Sequence, residues 1–357
     1  ISLFKKRLKP KSSLEDLIQR EIDFVKQRVS QKIGLKASLM EFAALNKGLK
    51  VTRLNRRANI VESDSGKQIG FTHMNGLSSS ILGKRICDRK HDTRNILKKN
   101  KISVVKSQIF NSENFKEALE FVNKIGFPIV VKPTTLSRGR GITTNIQSVE
   151  EFRLAWNKGI NAYKKNRKTK ELIIEKHFQG EDYRFFVVGN KVISVTHRKR
   201  ANITGDGKSN ILELIRIKNN IRKKNQYLAN HLIPENIVDL DILTKNNLDL
   251  DYIPNKGESI TLRSQSNLSA GGDSIDVTDI VHPDFFDIAV QSVKVIPGVE
   301  YAGVDIIAQN ISNKPNSNNH IVGEVEFSPA PIAHFPLVGK RRDMAGAILE
   351  NYLRKEI

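Results

Sequence analysis

Two short stretches limit how this chain can fold more than any other part of it: Gly303-Val304-Asp305-Ile306-Ile307 and, after a polar loop, Gly323-Glu324-Val325-Glu326-Phe327-Ser328-Pro329. Both read as strands. Side chains alternate between the faces of a strand, so Glu324 and Glu326 share a side. Carboxylates gathered in this way offer oxygen ligands to a hard divalent cation. Taken alone, an E-x-E pair more often marks a strand with a solvated acidic face, and the rest of the chain has to decide between the two.

A length of 357 residues allows two or three domains with cores of their own. No run of about 18 apolar residues is present and the N-terminal stretch has no signal-peptide pattern, so a cytoplasmic protein with no membrane span is expected. The single cysteine, Cys87, allows neither an internal disulfide nor a multi-cysteine metal site. With no histidine partner evident, it reads as a small buried apolar residue. The formal charge of +21 is concentrated at the front: residues 1–100 hold 23 Lys and Arg against 9 Asp and Glu. Such a balance favours anionic partners. Few aromatics accompany the basic residues and no nucleic-acid module is recognisable, which points to an acidic substrate before a nucleic acid.

Taken in order, residues 14–25 show apolar positions at helical spacing, suiting a docking or oligomerisation helix. Residues 38–54 read as a helix and a strand, giving a small α/β unit over 1–83. Residues 84–130 start the next unit, with helix at 93–99, strand at Ile102–Val105 and helix from Ser112 to Gly126. A third unit, 131–197, begins with the apolar strand that delivers Lys132. It continues through the loop Ser137-Arg138-Gly139-Arg140-Gly141-Ile142, where glycines let backbone N–H groups approach phosphate oxygens and the cations offset their charge. The same loop equally suits a hairpin turn, and neither a Walker P-loop nor a G-x-G-x-x-G fingerprint is present. Strands at 171–178, 185–188 and 192–195 follow, the last two joined by Gly189-Asn190. Residues 198–357 complete the chain, with a polar excursion over about 200–258 that holds a helix near 217–231. An arginine at the end of a strand, Arg263, precedes the polar loop Asn267-Leu268-Ser269-Ala270-Gly271-Gly272, which suits anion binding. Helices close the sequence at 282–295 and 342–349.

The ordered set resembles the ATP-grasp superfamily, more narrowly the ATP-grasp portion of cyanophycin synthetase and of bifunctional glutathione synthetase. It is carried over roughly residues 38–355 by Lys90-x-x-Thr93-Arg94, Gly126-Phe127-Pro128-Ile129-Val130-Val131-Lys132-Pro133, Glu175-Lys176-His177-Phe178 with Gly180-x-Asp182-Tyr183-Arg184, and Gly205-Asp206-Gly207-Lys208-Ser209. Leu262-Arg263-x-x-x-Asn267-Leu268-Ser269-x-Gly271-Gly272, His282-Pro283, Gly303-Val304-Asp305 and Glu324-Val325-Glu326-x-Ser328-Pro329 complete it. The resemblance implies an α+β ATP-grasp fold in which two subdomains hold the nucleotide between them. The sequence has no Mur-ligase-like half after this portion, so a complete cyanophycin synthetase is not expected.

By the same resemblance, Lys90 and Lys132 contact ATP phosphates, and the 137–141 loop, with Arg138, Gly139 and Gly141, closes over them. Glu175, Lys176 and Phe178 lie at the adenine and Asp182 at the ribose. Arg263 stabilises charge on the transferring phosphoryl group, while Asn267 and Ser269 help hold an acyl phosphate and the approaching amine. Asp305 and Glu324 hold Mg²⁺. Three departures stand out: the family usually has Asn where this chain has Glu326, Gly where it has Ala330, and Asp directly before the lysine where it has Arg89. Glu326 either ligates a second Mg²⁺, with Mn²⁺ as a substitute metal, or marks altered metal chemistry. The implied activity is an ATP-dependent carboxylate–amine ligase acting on small-molecule or peptide substrates of acidic character. The alternatives are an ATP-grasp kinase with a non-carboxylate acceptor and a non-catalytic nucleotide- or nucleic-acid-binding protein.

Overall fold

The computed structural model describes residues 13–136, 140–164, 169–237, 240–264 and 266–354. The first helix, α1 (Leu14–Ser30), opens with a reciprocal cap: the Ser13 hydroxyl accepts from the Asp16 N–H and the Asp16 carboxylate from the Ser13 N–H. That cap satisfies two of the amides a helix start leaves free. α1 docks on α2 (Leu35–Asn46), which covers an antiparallel sheet of β1 (Lys50–Arg53), β2 (Ala58–Glu62) and β3 (Gln68–Thr72). Two short helices follow, α3 (Ile81–Asp88) and α4 (Lys90–Lys99).

The expected strand at 102–105 does not form. Ile102 and Val104 instead pack on the core of the largest sheet, so this stretch crosses that sheet's edge as an irregular connection. The second sheet begins at β4 (Ser107–Asn111) and continues through α5 (Phe115–Ile125), β5 (Ile129–Pro133), β6 (Thr143–Ile146), α6 (Val149–Asn161) and β7 (Glu171–Lys176). Its order is β4-β7-β5-β6 with every pair antiparallel. Ile129 and Val131 of β5 face the core with Phe152 and Trp156. Alternation then turns Lys132 to the opposite face.

The largest sheet starts with β8 (Glu181–Val188), which turns at Gly189 (φ 56°) into β9 (Lys191–Lys199). An excursion follows: β10 (Asn202–Thr204), α7 (Ile211–Lys224), α8 (Asp241–Lys245) and β11 (Ser259–Thr261). It has its own core of Ile203, Ile211, Ile215, Leu240 and Leu262. The helix expected over 217–231 is α7, which begins earlier because Asn210 and Glu213 form a capping box. Then come β12 (Asp273–Asp276), α9 (Asp284–Lys294), β13 (Tyr301–Ala308), β14 (His320–Glu326) and α10 (Met344–Arg354). The strand order is β12-β9-β8-β13-β14, again antiparallel throughout. The boundaries expected at 130/131 and 197/198 therefore fall inside β5 and β9.

The two faces of this sheet differ. Tyr183, Phe185, Val187, Val304, Ile306 and Val325 form one core with Phe285 and Val293 of α9. On the other face, Phe186, Val188 and Tyr301 pack against α2, β3 and α10, while the adjoining part carries the charged side chains of the site. Among the described residues no helix is long and apolar enough to cross a membrane.

Candidate active site

Between the four-stranded and five-stranded sheets lies a cleft of about 250 Å³ whose lining includes Lys132, Phe178, Asp182, Arg198, Asn267 and Ile307. Strand register builds a charged row beside it. Arg184 of β8 stands opposite Asp305 of β13, and Asp305 stands opposite Glu324 of β14, so three charges form one row across three strands. Arg184 bonds both oxygens of Asp305, with Nη2 to Oδ2 at 3.0 Å, and also reaches Glu326. Glycine is required at 303 for that reach: a Cβ there would lie 2.6 Å from Arg184 Cδ. Arg198 of β9 binds Asp305 at 2.7 Å and Asp182 at 2.7 and 2.9 Å, and the Ser266 hydroxyl donates to Asp182 at 2.6 Å.

The phosphate-handling candidates also have partners. Lys132 donates to Glu175 at 2.8 Å, and Arg94 pairs with the other Glu175 oxygen at 2.5 Å. Lys90, at the start of α4, pairs with Glu324 at 2.5 Å. Five cations (Lys90, Arg94, Lys132, Arg184, Arg198) thus meet five carboxylates (Glu175, Asp182, Asp305, Glu324, Glu326). Burial alone would raise the carboxylate pKa values, but the adjacent guanidinium and ammonium groups outweigh it at Glu175, Asp305 and Glu324. Lys132 is pushed down to about 8 by burial against the pull of Glu175.

Glu175 carries a consequence for stability. Its pKa falls from 4.5 to about 2 in the folded chain. Its contribution is therefore complete above pH 4.5 and is lost as pH falls from 4.5 toward 2. The loss is on the order of 3 kcal/mol. Urea unfolding midpoints across that window are expected to drop, and Glu175→Gln is expected to flatten the dependence.

Among the sequence candidates, the structure brings together Lys90, Lys132, Glu175, Asp182, Asp305, Glu324 and Glu326, with Phe178 and Asn267 on the cleft wall. Lys176 also lines the cleft, and its ammonium binds the carbonyls of Gly126 and Phe127 at 3.2 and 2.7 Å. Gly141 adopts a φ of 72° against Ala162 and Pro133, and Ser269 is exposed. Arg138 and Gly139 lie outside the described residues. Arg263 is half-buried and makes no ion pair among them.

Arg94, Arg184, Arg198 and Ser266 have roles that the sequence reading did not give them. The available signal was a charged residue inside an otherwise apolar strand, as with Arg184 beside Tyr183 and Phe185. Arg198 is engaged by both Asp182 and Asp305.

The donor set fits a hard cation. Asp305 and Glu324 face each other in register, and Mg²⁺ is commonly held by one or two carboxylates with phosphate oxygens and water filling the remainder. Among the described residues no group of three His, Cys, Asp or Glu converges on one point, and Glu326 is turned to Arg184.

The family described as carbamoyl-phosphate synthase L chain, ATP binding domain, matches residues 88–226. The glutathione biosynthesis bifunctional protein GshAB of Clostridium perfringens is 30% identical over 328 residues, covering 90% of this chain and 41% of that protein. Cyanophycin synthetase of Synechocystis is 33% identical over 279 residues, covering 76% of this chain and 31% of that protein. Among solved structures, a bifunctional glutathione synthetase from Pasteurella multocida is similar with a TM-score of 0.68 at 26% identity, over 91% of this chain and 44% of that one. The chain spans less than half the length of these relatives.

Proposed function

The chain carries an ATP-grasp domain, and we propose that it is an ATP-dependent carboxylate–amine ligase. The observation that carries this reading is the cleft between two antiparallel sheets, lined by Lys132 with its partner Glu175 and adjoined by the Lys90–Glu324 pair and the opposed Asp305 and Glu324. Each of these ion pairs can exchange its partner. On nucleotide binding, Lys90 and Lys132 would turn to phosphate oxygens, and Glu324 with Asp305 would hold Mg²⁺. That cation supplies neutralisation of charge on the transferring phosphoryl group.

In the proposed reaction a substrate carboxylate oxygen bonds to the γ-phosphorus, and ADP leaves with the electrons of the broken P–O bond. The amine nitrogen then bonds to the acyl carbon, the acyl C–O bond breaks, phosphate leaves with the substrate's oxygen, and the amine loses a proton. Arg263, without an ion-pair partner among the described residues, is the cation this reading assigns to the transferring group. Asn267, on the cleft wall, is assigned to the acyl phosphate and Phe178 to the adenine. Glu326 is assigned to charge balance at Arg184 in preference to a second metal.

The chain's charge of +21 and Arg200, exposed at the cleft without an ion pair among the described residues, support acidic substrates. Carboxylates and amines supplied in pairs with Mg·ATP test the reading. ADP release is expected only when both are present, with amide found by mass spectrometry. A phosphorylated acceptor without amide would replace the ligase by a kinase.

A further inference from the structure

The charged cleft is not built by the ATP-grasp sheets alone. Lys36 of α2, in the N-terminal unit, sends its ammonium to the residues directly after β14, donating to Ser328 O at 2.9 Å, Ser328 Oγ at 2.9 Å and Pro329 O at 3.2 Å. An ammonium has three donors, and all three are taken by these neutral oxygens. A half-buried cation with no carboxylate in contact is costly to keep. Burial lowers the Lys36 pKa, and the nearby charge of Glu326 offsets part of that.

A second tether acts at the same place. Asn75, just after β3, donates to Ser328 Oγ at 3.4 Å and accepts from the Tyr301 hydroxyl. Tyr301 begins β13, the strand of Asp305, and Ser328 follows β14, the strand of Glu324 and Glu326. The N-terminal unit therefore fastens both carboxylate strands at one end. Pro329 is in turn part of the slot for Arg184. A Cβ at Gly303 would lie 3.0 Å from Pro329 Cβ and 2.6 Å from Arg184 Cδ, so Pro329 and the Arg184 stem flank the same glycine.

We propose that Lys36 is a positioning residue for the metal carboxylates: by holding the Ser328–Pro329 turn, it fixes the wall against which Arg184 reaches Asp305 and Glu326. The inference rests on the reading of Asp305 and Glu324 as the carboxylates that hold the divalent cation. Direct partners of a metal's ligands typically change its affinity by about 10- to 100-fold, and Lys36, which acts through the turn and Arg184, is expected at the lower end.

The test compares the affinity of the whole chain for Mn·ATP with its affinity for ATP in EDTA, for wild type, Lys36→Met, Lys36→Arg and Ser328→Ala. Lys36→Met is expected to lose about tenfold of the gain that metal gives the wild type. Its affinity for metal-free ATP and its cooperative unfolding are expected to persist. Lys36→Arg, which reaches the same carbonyls, is expected to restore most of the gain, and Ser328→Ala to lose a smaller part. A merely structural role would lower the unfolding midpoint without moving that ratio. Wild-type ratios in Lys36→Met overturn the proposal. If Lys36→Met does not fold, a wild-type ratio in Ser328→Ala overturns it. A wild type that gains nothing from Mn²⁺ removes the metal reading, and the proposal with it.

Discussion

Glu324→Ala is expected to lower ADP formation about a thousandfold, which corresponds to roughly 4 kcal/mol of lost stabilisation of the transferring phosphoryl group. The same change is expected to leave the fold intact. Glu324 is partly open to solvent and its partner Lys90 comes from the start of α4, so their pair contributes about 1 kcal/mol or less to stability. Lys90, freed of its carboxylate, remains available to a nucleotide phosphate. Binding of metal-free ATP is therefore expected to hold or strengthen while turnover disappears. Full turnover in the variant would refute the assignment of Glu324 to the metal.

The second large effect is expected at Arg184. Its guanidinium is buried, bonds both oxygens of Asp305 and reaches Glu326. Arg184→Met leaves Asp305 with Arg198 as its remaining ion-pair partner among the described residues and leaves Glu326 without the cation it faces. Removing one member of such a buried group costs about 3–5 kcal/mol, because the remaining charge stays desolvated. Urea unfolding measures the loss directly. Introduced into Glu326→Gln, the same substitution is expected to cost less, since one of the two stranded carboxylates is already neutral. A cost below about 1 kcal/mol in both backgrounds would mean that the cluster is not held by charge.

These two sites show how far the sequence could be read. Strand alternation was legible: Glu324 and Glu326 do share a face, and Gly189-Asn190 does turn β8 into β9. Position within the ordered motifs also brought Lys90, Lys132 and Asp305 to one charged cluster beside the cleft. What pairs with what was not legible, because it depends on register between distant strands. Arg184 and Asp305 meet across 121 positions of sequence separation, and no local pattern encodes the alignment of β8 with β13. Glu326 illustrates that gap: as one of three nearby carboxylates it reads as a ligand, and nothing local signals that Arg184 reaches it past Gly303. The missing strand at 102–105 has a different cause. Its alternation is that of a strand, but its apolar side chains are taken by the core beneath the five-stranded sheet. Lys36 sits on a helix whose pattern signals only packing, and its contact with Ser328 spans 292 positions.

The most direct test of the account follows one oxygen atom. With a carboxylate and an amine that together support ADP release, and the carboxylate labelled with ¹⁸O, transfer of one labelled oxygen into inorganic phosphate is expected for each amide formed. Label retained entirely in the organic product, or found in AMP, would contradict activation of the carboxylate by the γ-phosphate in this cleft.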